Sequence, residues 1–308
     1  MRGLIAFALG AGLLACGDSL PPVVPGDAAP LRVAASKMEE YELDNPLINE
    51  SSGLARSQKQ TELLWTLNDS GGMAALYAID PQGRYQGTLE VQGATNVDWE
   101  DLASFSENGS ARLLAADVGD NNAAAPLITL YIVAEPEVSA AGKPFTLSAV
   151  PLRTITLRYP DGARDCEAVA VDAEEGSIYL LSKRDAVPRL YRLPLASASA
   201  SPVTAEFLTE VNIPRAPADH PNPNGFNWVT AMDFSPDGQR LVVNTLEVGY
   251  VYERMSGEDW ASALQRAPLS FDLPDYSQIE AGTVSWDGAS YFITSENLPA
   301  RFARLPLP

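Results

Sequence analysis

Asn96-Val97-Asp98-Trp99-Glu100-Asp101-Leu102-Ala103 is the stretch whose reading decides the fold, because its core, Glu100-Asp101-Leu102-Ala103, has four counterparts along the chain. They are Ser52-Gly53-Leu54-Ala55, Glu167-Ala168-Val169-Ala170, Thr230-Ala231-Met232-Asp233 and Glu280-Ala281-Gly282-Thr283. In four of the five, a turn glycine follows eight or nine residues after the first position, at Gly109, Gly176, Gly238 and Gly288. A second apolar run then begins: Leu113–Ala116, Ile178–Leu181, Leu241–Val243 and Tyr291–Ile293. A repeat of roughly 50–65 residues built from short apolar runs and turns is the pattern of an all-β propeller, in which each blade stacks on its neighbours around one axis. Five blades are expected, with six as the alternative, because Phe145–Tyr159 is long enough for two strands.

Four strands fill each of the first four repeats. The fifth ends one strand short, and Lys37–Leu43 near the beginning of the chain is the candidate to complete it. Closing the ring in this way removes an exposed edge. Asp80-Pro81-Gln82-Gly83 and Phe234-Ser235-Pro236-Asp237-Gly238 carry turn residues between strands, and the latter resembles the turns of WD40-like propellers. Gly257–Arg266 has the makings of one or two helical turns.

The N-terminus reads as an address. Arg2, the apolar run Leu4–Ala15 and Leu13-Leu14-Ala15-Cys16 resemble a bacterial lipoprotein leader, with cleavage before Cys16 and lipidation of that residue. The apolar run is too short to span a membrane as a helix. Gly17 stands where an inner-membrane retention signal has Asp, so the resemblance implies an outer-membrane anchor facing the periplasm or the cell surface. Residues 1–15 are then signal peptide and residues 16–36 a tether. With Pro21, Pro22, Pro25 and Pro30 the tether is extended, reaching about 60 Å. Residues 37–308 form a single domain.

A lipidated Cys16 leaves Cys166 as the sole thiol, expected to be packed in a strand. The domain must therefore be held by its core, and 46% hydrophobic residues suffice for that. The formal charge is −19, and removing the leader takes away Arg2 and no acid, giving −20. Such a surface repels nucleic acid and favours cations or cationic ligands. A monomer is expected.

Inner strands of a propeller start at the mouth where second strands end, since the two are antiparallel neighbours. That mouth collects Asp69, Asp98, Glu100, Asp117, Asp120, Asn121, Glu167, Lys183, Thr230, Glu280 and Glu296. Crowded carboxylates raise one another's pKa or recruit a cation. An all-oxygen set suits Ca²⁺ and serves zinc poorly, with one histidine, His220, in the chain. Ser-His-Asp catalysis would need that histidine, which sits in the Pro-rich loop Arg215–Pro223 and reads as an exposed loop residue. Structurally, the strand-initial Glu and Thr side chains would serve instead as ties between blades.

With Asn68-Asp69-Ser70, Ala116-Asp117-Val118-Gly119-Asp120-Asn121 and Val229-Thr230-Ala231-Met232-Asp233, the opening stretch resembles a large family of uncharacterised secreted bacterial propellers that carry N-D-W-E-D and D-I-G-D-N type runs. More distantly, the glutamate followed by two strands is similar to calcium-dependent β-propeller phytases and to gluconolactonase-like and paraoxonase-like propellers. That likeness implies Glu100, Glu167 and Glu280 as calcium ligands, with Asp117 and Asp120 adjoining, and Asp69, Asp98, Asn121, Lys183, Thr230 and Glu296 around the ligand. A phosphate site also wants basic residues, and Lys183 alone reaches the expected mouth. The expected function is a cell-envelope lipoprotein binding a cation and a small-molecule or protein ligand. The alternative is a Ca²⁺-dependent phosphoesterase or lactonase.

Overall fold

The computed structural model describes residues 37–138, 143–197 and 201–308; the leader, Cys16 and the tether lie outside the described residues. The chain enters as strand β1 (Glu39–Glu42). It then builds blade 1 from β2 (Ser51–Arg56), β3 (Leu64–Asn68), β4 (Ala75–Ile79) and β5 (Tyr85–Val91). Blade 2 uses β6 (Trp99–Glu107), β7 (Ser110–Asp117) and β8 (Ile128–Ala134). The next strand, β9 (Phe145–Ala149), returns to the outer edge of blade 1, where it runs parallel to β5. Then β10 (Arg153–Arg158) completes blade 2 against β8.

Blade 3 comprises β11 (Cys166–Asp172), β12 (Ser177–Ser182) and β13 (Arg189–Pro194). Between β13 and its fourth strand, β14 (Val203–Thr204) adds in parallel to β10 of blade 2, and β15 (Glu206–Glu210) completes blade 3. Helix α1 (Pro223–Asn227) precedes blade 4, which is β16 (Val229–Phe234), β17 (Arg240–Thr245), β18 (Val248–Glu253) and, after helix α2 (Trp260–Ala263), β19 (Leu269–Asp272). Blade 5 is β20 (Ile279–Val284), β21 (Ser290–Ser295) and β22 (Arg301–Pro306), closed by β1 in antiparallel register, Glu39 opposite Arg304. The described residues thus form a five-bladed propeller whose last blade borrows its outer strand from the start of the chain. Phe145–Tyr159 does hold two strands, yet they add to blades 1 and 2 rather than making a sixth.

Local chemistry explains the turns. Ser235-Pro236-Asp237-Gly238 and Ser285-Trp286-Asp287-Gly288 repeat one device: the serine hydroxyl donates to the aspartate, at 2.6 and 2.5 Å, and the glycine N–H closes on the serine carbonyl. Gly238 and Gly288 sit at φ 65° and 70°, where a side chain is costly. Between blades the apolar faces interlock, with Trp65, Trp99, Phe271 and Phe302 fully buried. Cys166 is also buried, and burial pushes its thiol up to about 12, which makes it a packing residue rather than a nucleophile. No helix among the described residues is long and apolar enough to cross a membrane.

Candidate functional site: an acidic mouth

Each inner strand carries the same irregularity one residue from its start. Pairing skips from Ser51 to Gly53, Trp99 to Asp101, Cys166 to Ala168, Val229 to Ala231 and Ile279 to Ala281. The residues left out of the ladder are Ser52, Glu100, Glu167, Thr230 and Glu280, the first positions of the repeat. A bulge of this kind frees one side chain from the pleat and re-aims it.

The five freed side chains divide by chemistry. Ser52 donates to the Trp99 carbonyl at 2.7 Å, and Thr230 donates to the Ile279 carbonyl at 2.9 Å. Each ties one blade to the next. Thr230 also accepts from Asn244 Nδ2 at 2.8 Å, so its hydroxyl is committed within the fold. The three glutamates converge instead, with one carboxylate oxygen from each of Glu100, Glu167 and Glu280 lying within 4.8 Å of the others. Glu100 belongs as well to a second group of the same span, with Asp69 and Asp98.

Lys183 enters at the triad. Its ammonium pairs with Glu167 and reaches Glu280 Oε2 at 3.3 Å, joining blades 3 and 5 across the channel. Burial alone would lower its pKa, but the Glu167 and Glu280 carboxylates outweigh that and raise it. Arg184 is a cation at the mouth that the sequence reading passed over. It pairs with Asp165, stands 3.9 Å from Glu167 Oε1 and stacks 4.8 Å over Trp228. Gln278 was passed over as well; it donates to Glu280 Oε1 at 2.9 Å from a backbone held at φ 56°.

The Asp69–Asp98–Glu100 group has no ion pair to lysine or arginine among the described residues. Burial pushes Asp69 up to about 7, helped by the neighbouring Asp98. Burial also raises Asp98, with Asp165, Asp117 and Asp120 adding to it, and a hydrogen bond with Asp69 works the other way, the pattern of one proton shared by two carboxyls. Glu100 is raised well above the carboxylate range by burial, then by Glu167, Asp69 and Glu280. Burial drives Glu167 upward too, against the pull of Lys183. Glu296, at the end of β21, is pushed up to about 7 by burial and by Glu280. The backbone closes on this group at Gly119, where a Cβ would lie 2.4 Å from Glu100 Oε1 and 2.5 Å from Asp98 Oδ2.

Other expected site residues are placed apart from this convergence. Asp117 accepts the Asp98 backbone N–H at 2.7 Å, and Asp120 accepts that of Ala125 at 2.7 Å. Both brace the loops around the mouth and stand outside the two converging groups. Asn121 is exposed. His220, read from sequence as exposed, is half-buried: its ring packs on Phe226 at 5.2 Å and its Nε2 faces Glu247 Oε2 at 3.3 Å.

No family model matches the chain, and no curated protein is similar enough to match. Among solved structures, the chain is similar to Kuenenia stuttgartiensis hydrazine synthase, at 12% identity and a TM-score of 0.40, over 80% of this chain and 68% of that one. It is also similar to the RRP9 WD40 repeats, at 8% identity and a TM-score of 0.45, over 90% of this chain and 99% of that one.

Proposed function

We propose that the protein is a lipid-anchored cell-envelope propeller whose acidic mouth binds a divalent cation, Ca²⁺ by its donor chemistry, together with a ligand or partner. The observation that carries this reading is the Asp69–Asp98–Glu100 convergence, where three carboxylates lie within 4.8 Å with no lysine or arginine in ion-pair contact among the described residues. The residues fit such an ion. All donors are oxygens, and the glycine at 119 leaves space that a Cβ would fill. Ca²⁺ takes six to eight oxygens, so three carboxylates leave coordination positions for water or ligand. Once bound, the ion would offset the burial and the mutual repulsion that raise the pKa of these carboxyls. The Glu100–Glu167–Glu280 triad differs because Lys183 already supplies a positive charge there.

Isothermal titration of EDTA-stripped protein with CaCl₂ tests the reading. Saturable binding is expected, weakened at least tenfold by Asp98→Asn and by Gly119→Ala; no heat in the unaltered protein would reject it. The envelope location rests on the leader motif. Incorporation of labelled palmitate that disappears in Cys16→Ser is the expected result.

The hydrolase reading gains from Arg184, which adds a second cation beside Lys183 near Glu167. Its test is Ca²⁺-dependent phosphate release from phytate, abolished by Glu100→Gln while the fold survives.

A further inference from the structure

The outer strands of the five blades differ in charge. β1 carries Glu39, Glu40 and Glu42, β15 carries Glu206 and Glu210, and β19 carries Asp272. Blade 2 ends in β14, which is two residues long. β9, the outer strand of blade 1, reads Phe145-Thr146-Leu147-Ser148-Ala149 and holds no charged residue. Leu147 is 37% exposed, and Val150 and Leu152, just beyond the strand, are 67% and 55% exposed. An open strand edge without charge is a template for pairing with another chain.

The edge is held in place from within. Phe145 packs against Trp65 with ring centroids 6.0 Å apart, and a Cβ at Gly87 of β5 would lie 2.4 Å from the Phe145 ring, so β9 seats there because position 87 is glycine. β9 runs parallel to β5, and the Ala149 carbonyl accepts the Gln92 N–H at 2.8 Å. Backbone groups alternate in direction along a strand, so Phe145, Leu147 and Ala149 turn theirs toward β5. Those of Thr146 and Ser148 turn to the open side, where no strand pairs with β9 among the described residues. Pro144 and Pro151 bracket the edge and limit it to one short ladder.

We infer that the free edge of β9 pairs with β9 of a second copy of the chain, antiparallel about a two-fold axis at Leu147. In that register Thr146 stands opposite Ser148 of the second copy, and the outward N–H and carbonyl groups of both are satisfied. Phe145 stands opposite Ala149, large against small, and Leu147 opposite itself. No like charges meet across the pair, which decides the matter for a chain of net charge −19. The same pairing on β1 would set Glu39 against Glu42, and on β15 Glu206 against Glu210. Glu90 of β5 is beside Ser148 in register but one strand inside the edge. At ordinary strand spacing it would stand about 14 Å from its copy, beyond the screening length at physiological salt. A two-fold pairing uses up both edges and closes at the dimer. It involves none of the mouth residues and is independent of the cation reading.

The test is sedimentation equilibrium of the full chain in density-matched detergent, which keeps an attached lipid from driving association. A monomer–dimer equilibrium is expected, tightening as salt screens the net charge. Leu147→Lys sets two ammonium groups against each other, and Ser148→Pro removes an outward N–H; each should weaken the dimer at least tenfold. Leu269→Lys makes the same change at an exposed position on β19 and should leave it unaltered. Leu147→Cys should form a disulfide-linked dimer under mild oxidation, because opposed residues of a non-hydrogen-bonded pair lie about 4.5 Å apart; Leu269→Cys should not. A chain that stays monomeric at every concentration would overturn the inference and leave the edge to a strand of another protein. So would association that continues past the dimer, a dimer loosened by salt, or one that Leu147→Lys and Leu269→Lys weaken alike.

Discussion

Two sets of acids on or beside the inner strands, the mouth set with Asp69 and Asp98 half-buried, are treated in opposite ways. Farther from the mouth, Asp101 accepts N–H bonds from Leu102 and Val169, both at 2.7 Å, the latter from the next blade. Asp233 accepts from Arg56 at 2.7 Å, from the Thr283 hydroxyl at 2.7 Å and from the Val284 N–H at 2.9 Å. At the mouth, Asp69 accepts one chain donor, the Ser70 N–H, while Asp98 and Glu100 converge with it without a chain donor among the bonds described. Burial raises the pKa of Asp101 and Asp233 as it does that of Asp98 and Glu100, so the titration direction does not separate the sets. What separates them is the supply of donors. A buried carboxylate whose lone pairs are filled by the chain is part of the framework. One that lacks donors is either protonated or awaiting a cation.

Removing a member of the deep set should cost most. Asp233→Ala leaves the Arg56 guanidinium buried and unpaired, and the expected loss is about 3–5 kcal/mol by denaturant unfolding. Lys183→Met comes next, since it strips the counter-charge from Glu167 and Glu280. About 3 kcal/mol is expected at neutral pH, with less at lower pH, where Glu167, its pKa already raised by burial, takes up a proton. An equal loss at both pH values would show that Lys183 acts by packing.

The mouth should also write its own pH dependence. Asp69 titrates near 7 in the fold against an ordinary 3.8, and Glu296 near 7 against 4.5. Between those limits the folded state holds protons that the unfolded chain has released, so stability falls as pH rises from about 4 to 7. Added Ca²⁺ should flatten that slope. The smallest change is expected for Asp98→Asn without metal: within about 1 kcal/mol of the unaltered protein, or more stable, because a like charge is removed. A large loss there would place Asp98 with the framework set and erase the contrast.

The fold was legible because blade formation is local. Each repeat carries its own strand, turn and strand, and Lys37–Leu43 was recognisable as the missing edge. The destination of β9 was not legible, because parallel pairing with β5 joins residues such as Gly87 and Phe145 without any sequence signal. At the mouth, the glutamates could be read from their repeated position. The bulges that aim them could not, nor could the reach of Lys183 to Glu280 from blade 3 to blade 5. Asp117 and Asp120 resemble ligands in sequence because loop-bracing and metal-binding acids use the same residue types; the backbone N–H bonds they accept, from Asp98 and Ala125, are legible only in the fold.

The most direct test of the central claim, that the mouth acids lack a partner the deep acids already have, is thermal unfolding of the EDTA-stripped protein across a Ca²⁺ series. Asp98→Asn and Asp101→Asn would be run alongside. The account predicts a melting temperature that rises with Ca²⁺ concentration as ligand linkage requires, about 2.7 kcal/mol of stabilisation at one hundred times the dissociation constant. That rise should be absent in Asp98→Asn and preserved in Asp101→Asn despite its lower starting stability. A melting temperature indifferent to Ca²⁺ in the unaltered protein would contradict the account and return Asp69, Asp98 and Glu100 to the framework as protonated blade residues.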